Sequence, residues 1–165
     1  MEFRRPFRER PGDVSLETKF WAASRGGWDL VLKPGFSLPA GDDAKGLGAG
    51  KGQAWVIGVA GHVDGPREYY LNAGYKNNSN SGGEERNIFS ASALAAHKVL
   101  PGLFAAAELA IETNSDKGSA SHPVQTVLGL VWATTPSLDL SAGARFGLND
   151  SADDFGLLAG LTIRF

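Results

Sequence analysis

The sequence predicts an all-β fold: an antiparallel up-and-down transmembrane β-barrel, with about nine or ten strands in this chain, which could also form part of a larger barrel. Three observations predict it. Runs of about ten residues alternate strictly between apolar residues and polar or glycine residues, the period-two pattern of a strand. The connections between runs alternate between short and long. Aromatic residues on the apolar faces fall near the ends of the runs.

Taken in order, Val14–Ala22 sets Val14, Leu16, Thr18 and Phe20 outward and Ser15, Glu17, Lys19 and Trp21 inward. After a Ser24–Gly27 turn, Trp28–Leu38 opposes Trp28, Leu30, Leu32, Pro34, Phe36 and Leu38 to Asp29, Val31, Lys33, Gly35 and Ser37. Pro34 cannot donate to a ladder, so a bulge or bend is expected there. A long glycine-rich loop, Pro39–Gly52, precedes Gln53–Val63, in which Trp55, Ile57 and Val59 are read as outward. The Asp64–Arg67 sequence (DGPR) has hairpin-turn composition. Tyr69–Asn77 places Tyr69, Leu71, Ala73 and Tyr75 against Tyr70, Asn72, Gly74 and Lys76. The loop Asn78–Arg86 leads to Ile88–Lys98, whose faces the pattern does not separate. Leu103–Thr113 follows the turn Leu100–Gly102 and holds Glu108 and Glu112 inward. Val124–Ala133 follows the loop Asn114–Pro123 and carries Val124, Thr126, Leu128, Leu130 and Trp132.

The last two runs are the clearest. Leu138, Leu140, Ala142, Ala144, Phe146 and Leu148 oppose Asp139, Ser141, Gly143, Arg145 and Gly147. Phe155, Leu157, Ala159, Leu161, Ile163 and Phe165 oppose Gly156, Leu158, Gly160, Thr162 and Arg164. A final strand ending in Phe resembles the C-terminal signal of bacterial outer-membrane barrels, which implies the barrel-assembly machinery as a partner through Phe165.

The 165 residues make one domain on length, residues 13–165, behind an N-terminal segment, 1–12. In that segment Glu2–Phe7, interrupted by Pro6, is a candidate partial strand. Met1–Arg10 (MEFRRPFRER) is basic, but no apolar core of about 7–15 residues follows, so it is not a secretory leader. An outer-membrane protein needs one, and the barrel reading therefore expects an N-terminal portion beyond this sequence. A net charge of −2 offers no electrostatic reason for nucleic acid binding. The absence of cysteine excludes disulfides, zinc–thiolate sites and cysteine nucleophiles. A soluble β-sandwich or lipocalin-like barrel would also alternate. On a soluble closed barrel, however, these wholly apolar outward faces would form a continuous exposed patch.

Two sets of residues are candidates for function. The lumen-facing set is Glu17, Lys19, Asp29, Lys33, Lys76, Glu108, Glu112, Asp139, Arg145 and Arg164. These charges either line a passage or pair across strands and brace the wall; in a narrow barrel, bracing is favoured. The second set consists of membrane-interface aromatics. Phe20, Trp28, Tyr69, Trp132 and Phe165 are assigned to the short-turn rim, and Phe36, Trp55, Tyr75, Phe146 and Phe155 to the long-loop rim. The implied partners are outer-membrane lipid and a small solute.

Other motifs carry less. GLGAGKG at Gly46–Gly52 fails the phosphate-loop pattern, which requires Gly where Lys45 sits and Ser or Thr where Gly52 sits; a flexible external loop is expected instead. The pairs Asp42–Asp43, Glu84–Glu85 and Asp153–Asp154 read as solvated loop charge. His62, His97 and His122 fall on three segments without metal-ligand spacing. A hydrolase pairing His97 or His122 with Ser90, Ser92 or Ser121 lacks a nucleophile elbow. No catalytic residue, cofactor or metal is expected, and the chain is read as a non-enzyme.

Four blocks also carry a family resemblance: GDVSLETKFW (Gly12–Trp21), LVLKPGFSLPAGDDAKGLGAGKG (Leu30–Gly52), YYLNAGYKNN (Tyr69–Asn78) and the closing LDLSAGARFGLND and GLLAGLTIRF. Together they resemble the phenol meta-pathway (MetA-type) outer-membrane family over most of Gly12–Phe165. The sequence departs at Ala40, where members tend to have Thr. The resemblance implies a barrel in the bacterial outer membrane, a channel or transporter for small hydrophobic or aromatic compounds. A non-catalytic structural or ligand-binding barrel whose external loops contact partners is the alternative.

Overall fold

The structure is a computed structural model that describes residues 12–164. Its strands are β1 (Val14–Glu17), β2 (Phe20–Arg25), β3 (Trp28–Leu38), β4 (Gln53–Asp64), β5 (Arg67–Asn77), β6 (Asn87–Leu100), β7 (Leu103–Glu112), β8 (Val124–Thr135), β9 (Leu138–Gly147) and β10 (Phe155–Ile163). They form one antiparallel 10-stranded sheet in chain order, with β1 and β2 both paired to β3. The sole helical element described is a 3-10 turn, Asp43–Lys45. The candidate strand Glu2–Phe7 and the terminal Phe165 lie outside the described residues.

Each hairpin has its long loop at one end and its two-residue turn at the other. Gly26–Gly27, Gly65–Pro66, Pro101–Gly102 and Pro136–Ser137 make the tight end. In the first, φ is 60° at Gly26 and 80° at Gly27, the two positive values that a type I′ hairpin requires and that only glycine adopts freely.

The bulge expected at Pro34 does not form, and the proline's effect falls on the neighbouring strand instead. The β3–β4 register passes through Pro34↔Val56 unbroken. On the other side, Thr18 N–H donates to the Pro34 carbonyl (3.0 Å), and the ring nitrogen has no hydrogen to return. The expected single strand Val14–Ala22 therefore breaks at Thr18–Lys19. It resumes as β2 and runs on to Arg25 past a bulge between Trp21 and Ala23. This lengthening corrects one rim assignment: Phe20 lies opposite Leu32, at mid-height rather than at the short-turn rim.

A second correction concerns Trp55. It pairs with Gly35 and Lys76 and shares their inner face, together with Ile57 and Val59; Val56, Ala60 and His62 point outward instead. The run Gln53–Val63 misleads because both of its faces are apolar, so alternation alone does not orient it.

Exposure separates the two faces. Along β5, Glu68, Tyr70, Asn72, Gly74 and Lys76 are half-buried, whereas Tyr69, Leu71, Ala73 and Tyr75 are exposed. Ile88 is the one buried hydrophobic residue among those described. Most leucines across the outer face are open, Leu157 the most at 79%. The sheet curls inward without closing: β10 contacts β9 alone, and β1 and β2 contact β3 alone.

Candidate functional site: the inner face and its loop rim

The curl of the sheet brings the inner side chains of β3 to β9, with Lys19 and Arg164 at the two edges, around one chamber of about 630 Å3. Its walls are more apolar than the charged residues of the sequence suggest. Val31, Val59, Leu94, Phe104 and Val131 share it with Tyr70, Asn72 and Glu68. Tyr70 donates its hydroxyl to Glu68 (2.8 Å), and Asn72 donates to Ser92 Oγ (2.8 Å). A space of this size, mainly apolar with a few fixed polar groups, suits a small organic molecule.

All ten lumen-facing candidates lie on the inner face or at its edge, and they divide into two groups. Glu17 and Lys33 pair at 2.8 Å between β1 and β3. Asp139 and Arg164 pair at the short-turn end. Arg145 reaches Asp153 in the β9–β10 loop at 2.6 Å. Asp29 accepts from Trp21 Nε1 (3.2 Å) and from the Ser24 hydroxyl. These residues brace the wall. Lys19 borders the chamber, and Lys76, Glu108 and Glu112 make no ion pair among the described residues, so they remain available as lining. Trp55 donates Nε1 to Glu17 (3.0 Å), which fixes the indole flat over Gly35; any Cβ there would collide with it.

On the outer face, Trp28, Tyr69 and Trp132 lie near the short turns, and Phe36, Tyr75, Phe146 and Phe155 near the long loops. Phe89, which the ambiguous run Ile88–Lys98 concealed, takes the outward place that Trp55 does not hold. It packs on Tyr75 (ring centroids 5.2 Å apart) and is 60% exposed. Phe146 and Phe155 make a similar pair at 5.5 Å.

The long loops are built rather than loose, contrary to the expectation for Gly46–Gly52. Asp13 stands at the centre of that loop and accepts the N–H groups of Ala49 (2.8 Å) and Gly41 (3.0 Å). These bonds, Ala49 first, hold its carboxyl below the ordinary value. At Gly48 a Cβ would run into the Asp13 carboxylate, so this glycine serves close approach rather than flexibility. From there the loops are linked in series. Ser81 N–H donates to Ala49 O (2.9 Å), Glu85 N–H to Ser115 O (2.7 Å), and Asn149 Nδ2 to His122 O (2.8 Å). Backbone donors and acceptors with no sheet partner are thus satisfied between loops, a pattern no single-strand reading reveals.

The hydrolase constellation is not assembled. Ser90 and Ser92 face inward while His97 faces outward. His122 Nδ1 instead accepts Asn114 N–H (3.2 Å). His62 stacks on Trp28 and bonds Gly27 O, at the outer short-turn corner. Among the described residues no group of acids and histidines could hold a metal.

An antiparallel wall with an apolar outer face, a chambered inner face and tied loops on one rim is the class of protein that this geometry defines. A family profile described as "Putative MetA-pathway of phenol degradation" matches residues 8–165, and the chain belongs to that family. No curated protein matches it.

Proposed function

We propose that this chain forms the wall of a bacterial outer-membrane β-barrel that passes small hydrophobic or aromatic compounds. The observation that carries this reading is the inversion of polarity. The face with charge and hydrogen bonding turns inward around a chamber, whereas the face carrying leucine and aromatic side chains is bare. Water would not tolerate so large a continuous apolar face; lipid would cover it. The aromatic residues at both ends of the strands then meet the two membrane interfaces. Inside, the valine, leucine and phenylalanine walls give an apolar solute a surface that a water-filled pore would lack. The protein acts as a passage and not as an enzyme, and the assembly machinery would engage the final strand.

The test has two stages. Refolding into lipid should give an unheated band that migrates faster on a denaturing gel than the heated one. Vesicles containing the folded protein should then admit toluene or phenol faster than empty vesicles do. A β fold that is soluble without detergent would end the membrane reading. A folded barrel with no added flux would leave the alternative of a structural barrel.

A further inference from the structure

The outer face is not uniform. On β6 and β7 its mid-height positions are small: Ala93 and Ala95 lie beside Ala105 and Ala107. Larger side chains stand on either side, Tyr69 and Leu71 on β5 and Leu128 and Leu130 on β8. The result is a trough made of two hollows, of about 820 and 530 Å3, that meet at Tyr69, Ala95 and Ala107. Its floor is two strands wide, about 5 Å for each, and it runs along the strands from Leu109 to the short turns. There the apolar surface ends at Arg67, whose cross-strand neighbours on the same face are Asp64 and His97. None of these three makes an ion pair among the described residues. The outward arginines of the strands, Arg25 and Arg67, both stand beside short turns, whereas the outward positions at the long-loop end carry the neutral pair Asn77↔Asn87.

We propose that this trough holds one phospholipid of the leaflet beside the short turns, with a head group that carries a phosphate and a primary amine. The inference rests on the membrane reading above and names a partner that the wall selects from the surrounding lipid. The alkyl chains lie along the alanine floor, where the side walls give them more contact than the leucine ridges elsewhere. The phosphate sits on Arg67, whose guanidinium presents paired donors that match its oxygens, and His97 adds a ring N–H. Asp64 only accepts, so it repels a purely anionic head group and is satisfied by an ammonium. A choline head has no N–H to give it, and a diacylglycerol has no phosphate for Arg67. The depth agrees as well. Trp28 borders the trough and stacks on His62 at 5.1 Å, with Tyr69 on the next strand, and such amphipathic rings lie at the level of lipid head groups.

The experiment uses the full chain refolded in lipid-free detergent, its fold checked by the gel shift. Native mass spectrometry then follows titrations with phosphatidylethanolamine, phosphatidylglycerol and diacylglycerol of matched chains. One phosphatidylethanolamine should be retained, bound about tenfold or more tightly than either of the others, the discrimination expected of one charge-assisted contact. Arg67→Gln should bring it to within about threefold of diacylglycerol, and Asp64→Asn to within about threefold of phosphatidylglycerol. Ala107→Leu should raise the floor and weaken phosphatidylethanolamine and diacylglycerol alike, with Ala95→Leu in its place if that chain does not fold. Arg25→Gln, away from the trough, should change nothing. The site is overturned if diacylglycerol or phosphatidylglycerol binds as tightly as phosphatidylethanolamine, or if the folded trough variants leave binding unaltered. Full competition by water-soluble phosphoethanolamine, which has the head group without the chains, also overturns it. Flux measured in parallel separates the proposals. Flux through a folded barrel that retains no lipid overturns this site alone, a retained lipid without flux overturns the passage alone, and a β fold soluble without detergent overturns both.

Discussion

Neighbouring residues on β7 offer a direct test of whether the outer face meets lipid. Ala107 is exposed at mid-strand, flanked by Ala95 and Leu128. Ala106, one residue earlier, is half-buried between Ala96 and Gly129 and lines the 630 Å3 chamber. In a membrane, Ala107→Arg puts a guanidinium among acyl chains near the bilayer midplane, which costs about 2–4 kcal/mol in a barrel. That is roughly a 30- to 800-fold loss in the folding equilibrium. Ala106→Arg enters a space already lined by Glu68 and Asp139 and should cost no more than about 1 kcal/mol. If the exposed face met water, the order would reverse: an exposed alanine tolerates arginine within about 0.5 kcal/mol, and the half-buried one suffers more. Urea titrations of both variants in lipid vesicles, with the folded fraction read from the gel shift, decide between these cases. An Ala107→Arg protein as stable as the parent, beside a destabilised Ala106→Arg, would refute the orientation of the whole sheet.

Three further outcomes follow from local geometry. The Asp13 carboxyl is held below its ordinary value by the N–H groups of Ala49 and Gly41; its stabilisation is therefore present above the unfolded pKa and is lost as pH falls through the folded one. Pepsin should nick Pro39–Gly52 increasingly as the solution is acidified, whereas Asp13→Ala should be nicked at a rate that no longer tracks this titration. Gly35→Ala should displace the Trp55 indole, break its bond to Glu17, cost about 1–3 kcal/mol and shift the tryptophan emission; an unchanged spectrum would contradict the packing. Gly50→Ala combines a positive φ of 69° with a Cβ 2.6 Å from Ser81 Oγ, so it should loosen the link between the first two long loops, measurable as faster amide exchange at Ser81.

Strand identity was readable wherever the two faces differ in polarity. Leu138–Leu148 and Phe155–Phe165 oppose apolar to polar or glycine positions at nearly every step, and the observed pairs Ala144↔Leu157 and Arg145↔Gly156 keep those faces. The run Gln53–Val63 has no such contrast, so the side taken by Trp55 emerged only from its register with Gly35 and Lys76. Ile88–Lys98 has the same difficulty, since small residues fill both faces, and the outward Phe89 was hidden by it. Charge along the inner face was legible, but the choice between pairing and lining depends on contacts across strands that a one-dimensional pattern lacks. A small recess on the inner face is harder still to read: it opens beside Gly74, where a Cβ would meet Ser90 and Ile57, and a glycine in a strand reads as a weakness until its neighbours are known.

The two edges of the sheet constrain how a barrel could close. Because β1 and β2 share one position beside β3, the ten strands occupy nine ranks, and the first and last ranks run in the same direction. Joining these edges directly would make a parallel seam. Joining them through antiparallel pairing requires an odd number of further strands, which gives the even total usual for bacterial single-chain barrels. An edge left open in lipid exposes a row of unsatisfied N–H and C=O groups, each costing several kcal/mol, so one of these two closures must hold in a membrane. They differ in function. A nine-rank ring leaves an interior that side chains nearly fill, and the unpaired Lys76, Glu108 and Glu112 would then crowd across it. Added ranks would widen the lumen and leave those same residues facing solvent and solute. That none of the three makes an ion pair among the described residues favours the wider ring.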